Sequence, residues 1–157
     1  MTLTEFKNLF IRELTMPSEK LKTAHPTIWR AEPSFVDYTE DGELTLSFPV
    51  HPDQRNGYQL LQGGILSSFF DDVFGLFVFV ASGHNPVSTI QMNVSYHRGV
   101  TPETDTVLVT SRVIRAGRNI VSLEAVAKDP GGNLIATCQT SMLNVNHVKL
   151  NYLTNDE

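Results

Sequence analysis

Residues 56–83 read NGYQLLQGGILSSFFDDVFGLFVFVASG. Gly63-Gly64 opens the apolar part and Gly83 closes it, with Pro86 just beyond as a second stop signal. Between them Ile65, Leu66, Phe69, Phe70, Val73, Phe74, Leu76, Phe77 and Val80 surround a helix instead of striping one face, so the helix must be covered on most sides. Five of the nine phenylalanines lie between Phe69 and Phe79. Asp71 and Asp72 sit in the middle of the run. Two carboxylates at bilayer depth are costly, so the stretch reads as the buried helix of a soluble protein and not as a membrane span.

The chain on either side supplies the cover. Upstream, Leu3, Phe6, Leu9, Phe10 and Leu14 share one helical face up to Pro17, and a second short helical piece is expected at Ser18–Ala24, before Pro26. Strands are expected at Phe35–Glu40 and Glu43–Val50 around an Asp41-Gly42 turn, and the polar run from Val50 to Leu61 reads as a loop. Downstream come four strand candidates. Val87–Arg98 alternates Ile90, Met92, Val94 and Tyr96 against Thr89, Gln91, Asn93 and Ser95; Asp105–Arg115, Asn119–Lys128 and Leu134–Asn146 follow, the last after a Gly131-Gly132-Asn133 turn. Consecutive strands with short turns imply an antiparallel sheet, and one fully apolar helix between two strands and four implies a sheet wrapped around it. The fold class is α+β, of the hotdog arrangement.

A length of 157 residues favours one domain over 1–157, with residues 1–30 a helical extension and 33–147 the core. The formal net charge of -5 comes without a basic run, which disfavours nucleic-acid binding. The N-terminus shows no apolar signal region, so a cytoplasmic location is expected. Cys138 is the sole cysteine; it cannot form an internal disulfide and reads as a small buried hydrophobe. The five histidines form no zinc-like pair, and there is no Walker loop, G-x-G-x-x-G or G-x-S-x-G elbow.

The segment Asn56 to Asp71 resembles the signature of hotdog-fold acyl-CoA thioesterases, in particular the phenylacetate-pathway and 4-hydroxybenzoyl-CoA thioesterase branch. That pattern is Asn, five residues, His-Gly-Gly, then an acid eight residues after the first glycine; Asn56, Gly63 and Asp71 keep the spacing. The resemblance implies hydrolysis of an acyl-CoA thioester with no cofactor beyond the coenzyme A of the substrate. It implies a homodimer or dimer of dimers in which Asp71 of one copy works with Asn56 and Gly63 of the other, with no nucleic-acid or membrane partner. Asp71 would be general base or nucleophile, and Asp72 its structural partner. Thr89, or Ser88 one residue away, would position the water. The substrate would be held by Gln62 and Gly64 at the helix start and its coenzyme A by Tyr96, His97 and Arg98 and by Arg115, Gly117 and Arg118, while Phe6 and Phe10 of the first helix would be placed to cap the acyl tunnel.

Physical chemistry supports the motif. A helix N-terminus offers unpaired N–H groups and partial positive charge to a developing oxyanion, and glycine admits close approach. Aspartate inside an apolar helix is unfavourable without a role. Each residue also has a plainer reading: a glycine turn at Gly63-Gly64, a turn-forming Asn56, a strand hydroxyl at Thr89, a hairpin at Gly117. Gln62 stands where the family has histidine. Glutamine hydrogen-bonds but does not titrate, which counts against dehydration chemistry and leaves room for a chain that binds acyl-CoA without turning it over.

Overall fold

The computed structural model describes residues 2–24 and 28–144. His25, Pro26, His147 and the last two residues of the expected final strand lie outside them. In chain order the elements are α1 (Leu3–Thr15), α2 (Glu19–Ala24), α3 (Ile28–Ala31), β1 (Ser34–Tyr38), β2 (Glu43–Pro49), a 3-10 turn (Pro52–Gln54), α4 (Gly63–Ala81), β3 (Val87–Tyr96), β4 (Thr106–Ala116), β5 (Ile120–Lys128) and β6 (Leu134–Asn144). The sequence reading lacked α3 and the 3-10 turn; both are single short turns without an apolar period of their own.

The six strands form one antiparallel sheet in the order β1-β2-β4-β5-β6-β3. Leu44, Leu46 and Phe48 of β2, Val107 and Val109 of β4, and Val121, Leu123, Ala125 and Ala127 of β5 are buried on its inner face. The sheet wraps α4, of which 12 of 19 residues are buried. This helix is long and apolar enough to cross a membrane, yet 67% of its most apolar window is buried in the fold. Its C-terminus closes as the sequence implies: Gly83 takes φ +71°, its N–H donates to Val80 O at 3.1 Å and that of His84 to Phe79 O at 2.8 Å. That pair of bonds satisfies the last helical carbonyls through a left-handed residue that glycine adopts without cost.

Exposure on α4 is confined to its first half, at Gly64, Ser68 and Asp71, with Ile65, Ser67 and Asp72 partly covered. The second half is sealed by α1, which begins with a Thr2–Glu5 capping box. Phe6 lies edge-on to Tyr38 at 4.8 Å and Phe10 edge-on to Phe77 at 6.0 Å. These rings are core at the end of α4 remote from Gly63; fourteen residues of helix separate Gly63 from Phe77, about 21 Å. The expectation that they cap an acyl channel is therefore corrected to a packing role. Glu13, 1% exposed, fastens the junction: it accepts from Ser18 N–H at 3.0 Å and Ser18 Oγ at 2.8 Å and meets His84 Nε2 at 3.1 Å. Burial pushes its carboxyl up, but the Ser18 bonds, His84 and Arg12 outweigh this and hold it below the ordinary range.

β3 departs from the simple alternation. A bulge between Thr89 and Gln91 shifts its register against β6. Thr89 pairs with buried Met142, and Met92 with buried Thr140, so Thr89 joins the inner face with Met92, Val94 and Tyr96. Ile90, the bulged residue, is 57% exposed and leaves that face. β3 is also an edge strand of ten residues, with one side unpaired among the described residues.

Candidate active site

Gln62 is the N-cap of α4 in extended conformation, and its side chain makes no capping bond. The amides of Ile65 and Leu66 both turn to Gln62 O, at 3.0 and 3.1 Å. Those of Gly63 and Gly64 have no acceptor among the described residues. Two unpaired donors at the positive end of a 19-residue helix constitute an anion-stabilising group.

The preceding loop is built rigidly against this end. Arg55 donates to the carbonyls of Gln59, Val100 and Thr104 at 3.1, 3.2 and 3.3 Å. Asn56 Oδ1 accepts from the amides of Tyr58 at 2.9 Å and Leu60 at 3.2 Å. The turn-forming reading of Asn56 is thus correct for its oxygen, while Nδ2 has no partner among the described residues. Loop and helix start meet at a cavity of about 300 Å³ lined by Asn56, Leu60, Leu61, Gly63, Leu66 and Tyr96 through Val100. Asn56, Gly63, Tyr96, His97 and Arg98 therefore come together, with Gln62 and Gly64 beside them at the mouth of the helix.

Tyr96 makes a contact the sequence does not announce. Its hydroxyl donates to Gly63 O at 2.7 Å and lies 2.6 Å from Ser67 Oγ. His97 Nε2 lies 2.9 Å from Thr137 Oγ1. Ser67 escaped the sequence reading, although its i+4 spacing from Gly63 puts both on one helical face.

Asp71 is exposed on the first half of α4, and Thr89 Oγ1 donates to its Oδ1 at 2.6 Å. Ser88 pairs with Leu143 on the outer face, so the bulge gives Asp71 Thr89 and not its neighbour. Asp72 is half-buried; burial, and then the charge of Asp71, push its carboxyl up to about 7. Cys138, 2% exposed, is pushed up to about 12 by burial and by the same charge, so its thiol stays protonated and inert.

Two separations define what one copy can do. Asp71 stands eight residues beyond Gly63, about 12 Å along the helix axis, whereas a base must lie about 3 Å from the atom whose proton it takes. The hairpin carrying Arg115, Gly117 and Arg118 closes through Gly117 N–H to Ile120 O at 2.8 Å. It lies at the other end of the sheet from Tyr96. Tyr96 pairs with Ala136, and Ala136 with Ala127, from which Ile120 is seven residues, or roughly 23 Å, down β5. These three residues do not reach the cavity of their own chain.

The sequence model of the Thioesterase superfamily matches residues 58–136, half of the chain, spanning the glycine pair, Asp71 and Thr89. The chain belongs to the thioesterase superfamily. The Thermoplasma acidophilum protein named "Putative esterase Ta0293" is 25% identical over 107 residues, covering 68% of this chain and 77% of its own. Among solved structures, a thioesterase-like phenylacetic acid degradation-related protein of Ralstonia eutropha JMP134 has a TM-score of 0.73 at 22% identity, covering 87% of this chain and 99% of that one. A thioesterase-like protein of Streptococcus pneumoniae TIGR4, solved with coenzyme A, has a TM-score of 0.69 at 18% identity, covering 78% of this chain and 94% of that one. These structural likenesses establish the hotdog fold of this thioesterase-superfamily chain.

Proposed function

We propose that this thioesterase-superfamily chain hydrolyses acyl-CoA thioesters at a site completed by a second copy of itself. The observation that carries the reading is the separation of about 12 Å between Asp71 and Gly63 along one helix. A carboxylate held by a hydroxyl and a pair of free amides form one catalytic centre only if two chains contribute. The exposed edge of β3 offers a route. Antiparallel pairing of β3 with its copy, centred between Met92 and Asn93, sets the Thr89 end of one strand beside the Tyr96 end of the other. Asp71 of one copy then faces Gly63 and Asn56 of the other. The same two-fold axis carries the Arg115–Arg118 hairpin of one copy toward the His97-Arg98 segment of the other, so that cations from both suit the phosphates of coenzyme A. A dimer, or a dimer of such dimers, follows.

The chemistry is then simple. Water, held by Asp71 and Thr89, attacks the thioester carbonyl carbon, and the Asp71 carboxylate takes its proton. The carbonyl oxygen becomes an oxyanion, stabilised by Gly63 N–H and Asn56 Nδ2. Collapse breaks the carbon–sulfur bond, and the proton returns from Asp71 to the leaving thiolate. Gln62 contributes hydrogen bonding at the helix mouth and no titration.

The test is release of free thiol from short, long and aromatic acyl-CoAs by wild type and Asp71→Asn. Release by wild type that is abolished in the variant supports the reading. Full activity in Asp71→Asn contradicts the assignment. Tight acyl-CoA binding without release would favour a non-catalytic binding protein, the reading to which Gln62 in place of histidine points.

A further inference from the structure

The Gly63–Gly64 peptide lies in the first turn of α4, and neither residue carries a Cβ to limit its rotation. It is planar and trans, so Gly63 C=O and Gly64 N–H lie in one plane and point in opposite directions. Whatever holds the oxygen aims the hydrogen. In the first turn of α4 that oxygen faces Ser67 N–H one turn on, and Tyr96 adds a second hold, its hydroxyl donating to Gly63 O at 2.7 Å. Having spent its proton there, that hydroxyl must accept from Ser67 Oγ, 2.6 Å away. The ring backs the contact: a Cβ placed on Gly63 would lie 3.1 Å from Tyr96 Cζ. Tyr96 belongs to the end of β3, so the strand, through Tyr96, fixes the first peptide of α4.

We propose that Tyr96 and Ser67 are positioning residues that make Gly64 N–H a second oxyanion donor beside Gly63 N–H. Ser67 Oγ–H, Tyr96 O–H and Gly63 C=O form a chain of donors and acceptors running in one direction. Each bond strengthens the next, and drawing electron density toward Gly63 O sharpens the opposite N–H as a donor. The hydroxyl thus acts on the reaction through the peptide and touches no reacting atom. This deepens the thioesterase reading and rests on it.

The sequence makes the test clean. Gly63-Gly64 and Gly131-Gly132 are its only adjacent glycine pairs. Full-length protein labelled with [1-13C,15N]glycine therefore gives two carbonyl–amide correlations in an HNCO spectrum. In Tyr96→Phe, which keeps the ring, the Gly63–Gly64 correlation moves upfield in carbon while the Gly131–Gly132 one stays. Ser67→Ala gives a smaller movement, and Ser67→Thr restores the wild-type position. Removal of one direct oxyanion donor costs about a hundredfold or more in kcat, so loss of the group that aims one is expected to cost about tenfold in Tyr96→Phe. KM for the acyl-CoA stays within about twofold. An unmoved correlation overturns the proposal. So does a moved correlation with kcat within about twofold of wild type, or a raised KM at unchanged kcat, which would make Tyr96 a plain binding contact. A wild type inert on every acyl-CoA overturns the thioesterase reading instead, and is seen before any variant is compared.

Discussion

Thr89 Oγ1 donates to Asp71 Oδ1 at 2.6 Å, joining the edge strand to the middle of the buried helix. The bond exists because the bulge after Thr89 turns that residue inward. It takes up one carboxylate oxygen and leaves the other to accept a proton. Thr89→Ala is expected to lower kcat by about ten- to a hundredfold, the range of a misplaced general base, and Thr89→Ser to recover most of the loss. Steady-state thiol release checks both. A Thr89→Ala protein with wild-type kcat would reduce the hydroxyl to a strand residue.

The two glycines at the helix start differ in the room around them. A Cβ on Gly63 meets the Tyr96 ring at 3.1 Å, whereas one on Gly64 finds only the end of the Gln62 side chain, no nearer than 3.7 Å. Gly63→Ala must displace the ring and with it the Tyr96 hydroxyl, so activity is expected to fall by at least about tenfold with little change in melting temperature. Gly64→Ala avoids that displacement and is expected to keep more activity. Side-by-side assays of the two variants, with thermal melts, give the comparison.

Asp72 bears on pH dependence. Its carboxyl is raised from the ordinary aspartate range to about 7 by burial and by Asp71. The folded chain therefore keeps a proton that the unfolded chain releases. Stability from this group is full below about pH 4, falls as pH rises through about 7, and stays lowered above it. Asp72→Asn mimics the protonated form. It is expected to melt close to wild type near pH 4 and above wild type near pH 8. Equal melting at both pH values would place the group in ordinary solvent.

Glu13 carries the opposite sign. Its carboxyl is held below the ordinary range despite burial, by Ser18, His84 and Arg12. The stability it provides is present above about pH 4.3 and is lost as pH falls through its folded value. Removing one member of a buried charged cluster costs about 3 kcal/mol, because its partners are left unpaired. Glu13→Ala is expected to lose about that much in urea unfolding at neutral pH and to show a weaker loss of stability on acidification. Its kcat should remain close to wild type, since Glu13 lies at the junction of α1 with the far end of α4.

Much of this was legible in the residues, for identifiable reasons. The helix of residues 63–81 announces itself through apolar residues on every side and glycine at both ends, and the strand count through turn glycines at Gly42 and Gly132, both with positive φ. At Asn56, Gly63 and Asp71 the candidate site was legible only through the spacing of the thioesterase signature that the segment resembles. It was illegible where tertiary contact decides. Alternation placed Ile90 with Met92 and Val94, because a bulge reverses parity without changing composition. The Tyr96–Ser67–Gly63 contact joins residues 29 and 33 positions apart, which no local pattern encodes. Phe6 and Phe10 looked available to a ligand until Tyr38 and Phe77 were seen to cover them.

The central claim is that Asp71 and Gly63 act together only across two copies. It is tested by mixing two separately impaired proteins, Asp71→Asn and Gly63→Ala, under conditions that let subunits exchange, and measuring thiol release against the mean of the unmixed parents. Half of the reassorted dimers are mixed, and each mixed dimer carries one site with both residues intact. Activity should therefore rise from the residual level of the parents to at least about a quarter of wild type. A mixture that exchanges subunits yet stays at the mean of its parents would show that each chain carries its own site, and would contradict the shared one.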